Sequence, residues 1–179
     1  MIASRSLAGA GYCDGNPDLC PHFGNQCPKV KEGEIHFVSP LSGETHDGYW
    51  RNGLPDGIAA IHDKNGKLFA TGQYVNGKAD GLWKHYLDGN LTSESLFADG
   101  HYVYVLNTRT NDRSTWTWEG DKLVAREVSK NGTPIQKFTY EEGDGETTMV
   151  EFEYSNGQWV KKAEKKYPQV EIGDPCPVC

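Results

Sequence analysis

The residues best suited to chemistry in this 179-residue chain are its five cysteines, which lie only near the two ends. Cys13, Cys20 and Cys27 are spaced seven apart, and Cys176 and Cys179 enclose the sequence CPVC. This distribution suggests a clasp that joins the termini. One chemistry is a pair of disulfides with one thiol left over, because the N-terminal stretch has few large apolar residues and needs covalent staples.

A zinc site is the second chemistry that these cysteines allow. Tetrahedral zinc takes four cysteine or histidine ligands, and CxxC is a frequent half-site. The candidate ligands are Cys20, Cys27, Cys176 and Cys179, although the N-terminal spacing is wider than zinc sites usually show. A redox-active CPVC is a third interpretation, but no βαβ pattern surrounds it. Disulfides imply the periplasm, after removal of a signal peptide, whereas zinc would allow the cytoplasm.

The histidines and serines do not form a recognisable catalytic motif. HExxH, GxSxG and the phosphate-binding P-loop are all missing from the sequence, so no catalytic residue and no cofactor other than zinc is predicted. His36, His62 and His85 fall near the start of successive units of the chain, and His36 and His62 could line one edge of a sheet as metal ligands. Half-exposed strand positions explain them more simply.

Two short segments could instead bind a partner protein. The segment TYEEGDGETT concentrates carboxylates around two glycines, as a calcium-binding loop does, but it lacks the spacing of an EF-hand. A solvated hairpin tip is the simple interpretation, and a contact for a basic patch is the functional one. Alternation places the tryptophans of STWTWEG on one face of a strand, either as core or as interface anchors. The candidate interface residues are Trp116, Trp118, Glu141, Glu142, Asp144 and Glu146.

Short strands and tight turns must position these residues. The chain holds 21 glycines, and Asn-Gly or Asp-Gly pairs recur between segments rich in aromatic and branched residues, which is typical of two-residue hairpin turns. Three units repeat in register over residues 33–100, and degenerate copies continue over 101–167. Residues 1–32 and 168–179 form cysteine-containing ends. We therefore predict an all-β, elongated, open antiparallel sheet of stacked hairpins with little or no helix, in which the lysine-rich segment VKKAEKKY is an exposed edge strand.

The repeat indicates which residues have a structural role, namely the glycines of its turns and the aromatic residues that pack between hairpins. Stacked hairpins bury the aromatic residues of each unit against neighbouring units, because a lone hairpin is barely stable. The predicted scaffold residues are Trp50, Gly53, Gly57, Tyr74, Gly77, Gly81, Trp83, Phe97 and Gly100.

The central unit resembles the MORN repeat, and in particular its bacterial variant. The pattern is carried by Tyr74, Asn76, Gly77, Lys78, Asp80, Gly81, Trp83, Tyr86, Gly89 and Leu91. The resemblance implies an open, twisted sheet that serves mainly as a scaffold for protein contact. The bacterial variant often occurs in proteins labelled antitoxins or immunity proteins. The chain departs from the pattern at Leu54 and Pro55, which puts any shared binding surface in doubt.

The net charge of −7 bears on the choice of partner. It disfavours nucleic acid and anionic lipid, whose phosphates repel an acidic surface. The sequence contains no run of 18 or more apolar residues, so no membrane span is predicted. We predict a non-catalytic inhibitor that binds a toxic effector enzyme, most simply a bacterial immunity protein. A structural or membrane-surface scaffold and a small zinc-binding protein are the alternatives.

Overall fold

A computed structural model of the protein describes residues 32–39 and 42–168. These residues form 13 β-strands and contain no helix, so none of them belongs to a helix long and apolar enough to cross a membrane. The strands are β1 Glu32–Val38, β2 Thr45–Arg51, β3 Leu54–Pro55, β4 Gly57–His62, β5 Leu68–Val75, β6 Lys78–Leu87, β7 Asn90–Ala98, β8 His101–Asn107, β9 Asp112–Glu119, β10 Lys122–Lys130, β11 Thr133–Gly143, β12 Glu146–Ser155 and β13 Gln158–Pro168.

All of these strands belong to one open antiparallel sheet whose order follows the chain. Each strand pairs with its neighbours in sequence, except that the short β3 pairs only with β2, and β2 pairs with β4 as well. β1 and β13 lie at the two ends of this order. The predicted all-β sheet of stacked hairpins is therefore confirmed, and the lysine-rich segment does lie at an edge of the described sheet.

Most of the hairpins close with the predicted two-residue turn. At Asn76 and Gly77 the φ angles are 49° and 82°, the left-handed pair that a type I′ turn requires. Asparagine tolerates this region, and glycine has no Cβ to oppose it. The same pair of positive φ angles recurs at Asn52-Gly53, Asp88-Gly89, Asp99-Gly100, Asn131-Gly132 and Asn156-Gly157.

The turn at Asn65-Gly66 is an exception, and the expectation of a two-residue turn there was wrong. Asp63 organises a longer loop, in which its Oδ1 accepts hydrogen bonds from the backbone N–H groups of Asn65 and Lys67. The Asp63 N–H also donates to the Lys67 carbonyl at 2.8 Å. The aspartate side chain offers the backbone a local partner that competes with the tighter turn.

Successive hairpins are joined by a contact that repeats along the sheet. The Gly77 N–H donates to the Pro55 carbonyl at 2.8 Å, and the Gly100 N–H donates to the Ala79 carbonyl at 2.9 Å. Each of these two turn glycines thus donates its backbone N–H to the preceding hairpin. These bonds fix the stacking of turns along one long edge of the sheet.

One face of the sheet carries a continuous row of aromatic rings, and we call it the aromatic face. Its rings belong to Tyr74, Trp83, Phe97, Tyr102 and Trp116, and successive centroids are 4.3 to 6.3 Å apart. The hydrophobic core lies here, where Tyr74, Trp83 and Phe97 are at least 92% buried together with small alanines. A single layer can bury these rings because neighbours on adjacent strands cover one another.

Candidate functional site

The two tryptophans of β9 lie on the aromatic face and are both half-buried. Trp116 packs against Tyr102, with ring centroids 5.3 Å apart. Trp118 packs against His101 at 4.5 Å, and its indole N–H donates to the Tyr102 carbonyl at 2.8 Å. Both side chains thus help to hold the sheet together while leaving part of each ring open to contact. The core and interface interpretations are compatible for this pair.

The acidic segment forms the tip of the β11–β12 hairpin. Residues 141 to 146 are all exposed. Glu142 pairs with Lys122 at 2.7 Å, and Glu146 lies 3.4 Å from Lys166. Glu141 and Asp144 form no ion pair with the described residues. This tip therefore carries negative charge that its immediate neighbours do not neutralise.

Antiparallel pairing brings the tryptophans and the acidic tip to the same long edge of the sheet. Alternate turns of a meander lie at the same edge, so the β9–β10 turn and the β11–β12 turn are two strands apart, or about 10 Å. Lys122 bridges them, because it belongs to β10 and its Nζ contacts Glu142. That hydrogen bond raises the pKa of the Lys122 ammonium. We call the exposed carboxylates of this region, Glu119, Asp121, Glu141 and Asp144, the acidic edge.

The partners of the acidic edge are few. Asp121 is 93% exposed and lies 3.0 Å from the Nε2 atom of His101, which in turn packs on Trp118. Glu119 is exposed and forms no ion pair with any residue that the structure describes. Further along the same edge, by contrast, Asp99 is paired with Lys78 at 2.8 Å, and this hydrogen bond lowers the pKa of the Asp99 carboxyl. Unneutralised charge is therefore concentrated between β9 and β12.

His36 and His62, which the sequence suggested could line one edge of the sheet, both contact Asp47, a residue that the sequence did not single out. His36 Nδ1 lies 2.6 Å from one Asp47 oxygen, and His62 Nδ1 lies 3.2 Å from the other. His36 and Asp47 are directly opposite each other in the β1–β2 pair. His85, which was considered with them, lies on the aromatic face instead, opposite Ala70. Counting outward from the β1–β2 turn could have paired His36 with Asp47.

The predictions of metal and disulfide chemistry can be compared with the structure only where residues are described. Within residues 32–39 and 42–168, no group of three or more His, Cys, Asp or Glu side chains is arranged to hold a metal ion. All five cysteines lie outside the described residues, so the disulfide and zinc predictions remain predictions. The strands nearest to them in sequence, β1 and β13, are at opposite ends of the sheet.

The predicted scaffold residues occupy structural positions. Trp50, Tyr74, Trp83 and Phe97 are buried. The scaffold glycines all adopt positive φ angles, at Gly53, Gly57, Gly77, Gly81 and Gly100. None of these residues belongs to the acidic edge, so the repeat positions the candidate surface without forming it.

Comparison with known proteins adds no relative. No protein-family model matches this chain, and no curated protein matches it. The resemblance to the MORN repeat therefore remains a prediction that rests on the residues of the central unit.

Proposed function

We propose that this chain is a non-catalytic binding protein that covers and blocks a toxic effector enzyme, as bacterial immunity proteins do. The observation that carries the proposal is the acidic edge between β9 and β12, where Glu119, Glu141 and Asp144 are exposed, form no ion pair with described residues, and lie near half-buried tryptophans. Rigid aromatic groups next to unneutralised charge are typical of protein interfaces. The resemblance of the central unit to bacterial MORN repeats supports the same function.

The charge of the acidic edge defines the surface that a partner would present. Unpaired carboxylates favour a basic patch, and long-range attraction between opposite charges raises the association rate. Trp116 and Trp118 would supply apolar contact area at low entropic cost, because Tyr102 and His101 already hold their rings in place. Inhibition would follow from covering a basic cleft of the enzyme.

The experiment begins with capture of the full chain from its native cell. The expected result is co-purification of the product of a neighbouring gene, inhibition of that product's activity in vitro, and sensitivity of deletion cells to their siblings. The proposal fails if no partner co-purifies and the deletion causes no sensitivity.

A matched pair of charge reversals tests whether the acidic edge is the contact. Asp144→Lys changes the hairpin tip, and Glu34→Lys makes the same change on exposed β1 at the other end of the strand order. We expect Asp144→Lys to slow association with the captured partner about tenfold at low salt, and Glu34→Lys to leave it nearly unchanged. Equal effects of the two variants would show that net charge matters and that the edge does not.

The periplasmic location belongs to this proposal as well. It depends on disulfides among Cys13, Cys20, Cys27, Cys176 and Cys179. Intact-mass measurement with and without reductant would detect each bridge as a mass lower by about two hydrogen atoms in the oxidised protein. Bound zinc in the purified protein would favour the cytoplasmic alternative.

A further inference from the structure

A half-buried arginine lies without a counter-ion on the aromatic face of β10. Arg126 is directly opposite Trp116 in β9 and Phe138 in β11. Its Cζ atom is 5.4 Å from the centroid of the Trp116 ring and 5.9 Å from that of Phe138. The two rings hold the guanidinium between them, and both distances are within the range of cation–π attraction. Arg126 thus continues the row of rings across the sheet.

The guanidinium of Arg126 has more donors than partners. An arginine side chain carries five N–H donors and no acceptor. One terminal nitrogen donates to the Ser114 hydroxyl at 3.2 Å, whereas Nε is buried and has no hydrogen-bond partner. No carboxylate of the described chain forms an ion pair with this group. A partly desolvated cation in this state is costly, and burial of arginine normally requires an anion.

Tyr140 brings a second donor to the same place. It follows Phe138 by two residues on the same face of β11 and is opposite Met149 in β12. Because Arg126 is opposite Phe138, Tyr140 is its diagonal neighbour across the β10–β11 pair, a position typically about 7–8 Å away. Burial raises the pKa of the Tyr140 phenol. The phenol is therefore protonated at neutral pH and can donate a hydrogen bond. Its hydroxyl forms no hydrogen bond with a described residue.

An acidic group on this face of the neighbouring strands is already engaged. Glu151 is opposite Phe138, one strand beyond Arg126. Its Oε1 accepts a hydrogen bond of 2.7 Å from the Gln136 amide. Glu151 thus contributes negative charge to the neighbourhood without neutralising Arg126 directly.

We propose that Arg126 and Tyr140 form a binding site for a carboxylate attached to an apolar group. A planar guanidinium matches a planar carboxylate and can donate two parallel hydrogen bonds to it. Trp116 and Phe138 would contact the apolar part of the ligand and exclude water from the ion pair. The site does not depend on the proposed immunity function, because isolated carboxylates can test it.

The test is a titration of the ¹⁵N-labelled full chain, followed through the Nε–Hε signals of its arginines. The probes are benzoate, for a free aromatic acid, and N-acetylphenylalanine, for the carboxyl end of a peptide. We expect a saturable shift of the Arg126 signal with a roughly millimolar Kd, and the tighter probe identifies the source of the ligand. Benzamide, which has the same shape without the charge, should cause no saturable shift.

Arg113 provides an internal control. Its Cζ atom lies 4.1 Å from the centroid of the Tyr104 ring, so it is also stacked on an aromatic ring. It is exposed, however, and lies on the other face of β9, opposite Leu106 and Ser129. The Arg113 signal should therefore show no saturable shift when either carboxylate is added. Tyr140→Phe removes one donor and should weaken benzoate binding about three- to tenfold. In Arg126→Lys, where the arginine signal is lost, the indole N–H signal of Trp116 serves as the readout, and it should show no saturable shift with benzoate, since lysine lacks the planar fork.

Four outcomes would overturn the proposal. They are no saturable shift at concentrations about tenfold above a millimolar Kd, equal shifts with benzamide and benzoate, equal shifts of Arg113 and Arg126, and tighter binding of inorganic phosphate than of either carboxylate. Failure here would leave the charge-reversal test of the acidic edge unaffected, so the two proposals can fail separately.

Discussion

Gly72→Ala is expected to destabilise the protein more than any other glycine-to-alanine change on the aromatic face. Gly72 lies in β5 with an ordinary φ angle, so the backbone accepts alanine there. The obstacle is Trp83, because an added Cβ would be 2.1 Å from its Cδ2 atom and 2.2 Å from its Cε2 atom. Ordinary carbon contacts are about 3.5 to 4.0 Å, so the ring would have to move by roughly 1.5 Å.

The Trp83 ring has little freedom to move that far. It is 4% exposed, its indole N–H donates to the Gln73 carbonyl at 3.1 Å, and it packs edge-on against Tyr74 and Phe97. Overpacking of this kind costs about 1–3 kcal/mol. Complete ejection of the ring would expose roughly 150–250 Å² and cost about 4–6 kcal/mol. We therefore expect a loss of about 3–5 kcal/mol in the free energy of unfolding, measured by urea titration.

Gly48→Ala is the matched control. Gly48 lies on the same face in β2, also with an ordinary φ angle, and its added Cβ would meet the Ile58 carbonyl at 3.5 Å and the Ala59 Cβ at 3.7 Å. These are normal contacts, so we expect a change within about 0.5 kcal/mol, or slight stabilisation through the unfolded state.

A double-mutant cycle separates the Trp83 contact from other effects. In a Trp83→Leu background the added methyl group has room, so Gly72→Ala should cost less than about 1 kcal/mol, which corresponds to a coupling of at least 2 kcal/mol. The reasoning is refuted if Gly72→Ala costs no more than Gly48→Ala, or if its cost is unchanged in the Trp83→Leu background.

Three further predictions concern single positions. Burial lowers the pKa of His85 below its ordinary 6.5. The unfolded chain therefore binds the proton more readily, and the free energy of unfolding should fall as the pH decreases through 6.5. In urea titrations between about pH 7.5 and 5.5, His85→Gln should show a smaller fall than the unchanged protein. Gly77→Ala, at a φ of 82°, should lower the free energy of unfolding by about 1 kcal/mol, whereas Gly143→Ala, with an ordinary φ and open space around it, should leave it unchanged in the same assay. Equal losses would contradict a conformational cause. Trp118→Phe removes the hydrogen bond to the Tyr102 carbonyl and should cost about 1 kcal/mol; an unchanged unfolding midpoint would show that this bond contributes nothing.

Much of the fold could be predicted because its instructions are local. Asn76-Gly77 specifies a type I′ turn through the φ preferences of two residues, and alternation of large and polar residues specifies which face of a strand is buried. A chain in which such signals recur every ten residues or so can only form successive hairpins. Where a side chain intervenes, as Asp63 does beside Asn65, the local signal is overridden and the predicted turn fails.

The candidate surfaces depended on contacts that local signals do not specify. Trp118 and Asp144 reach one edge because two antiparallel strands, β10 and β11, lie between the β9–β10 turn and the β11–β12 turn. The bulge between Leu123 and Ala125 shifts the register that sets Arg126 against Trp116.

By itself, the sequence determined the hairpins, the turns and the alternation of faces, since these follow from the conformational preferences of adjacent residues. Only the tertiary structure decided which charges are neutralised and which remain free. His36, Asp47 and His62 met because of strand register, and Arg126 stayed without a carboxylate for the same reason. Electrostatic pairing depends on distances of a few ångströms between residues far apart in the chain, and a one-residue change in register moves a side chain to the opposite face.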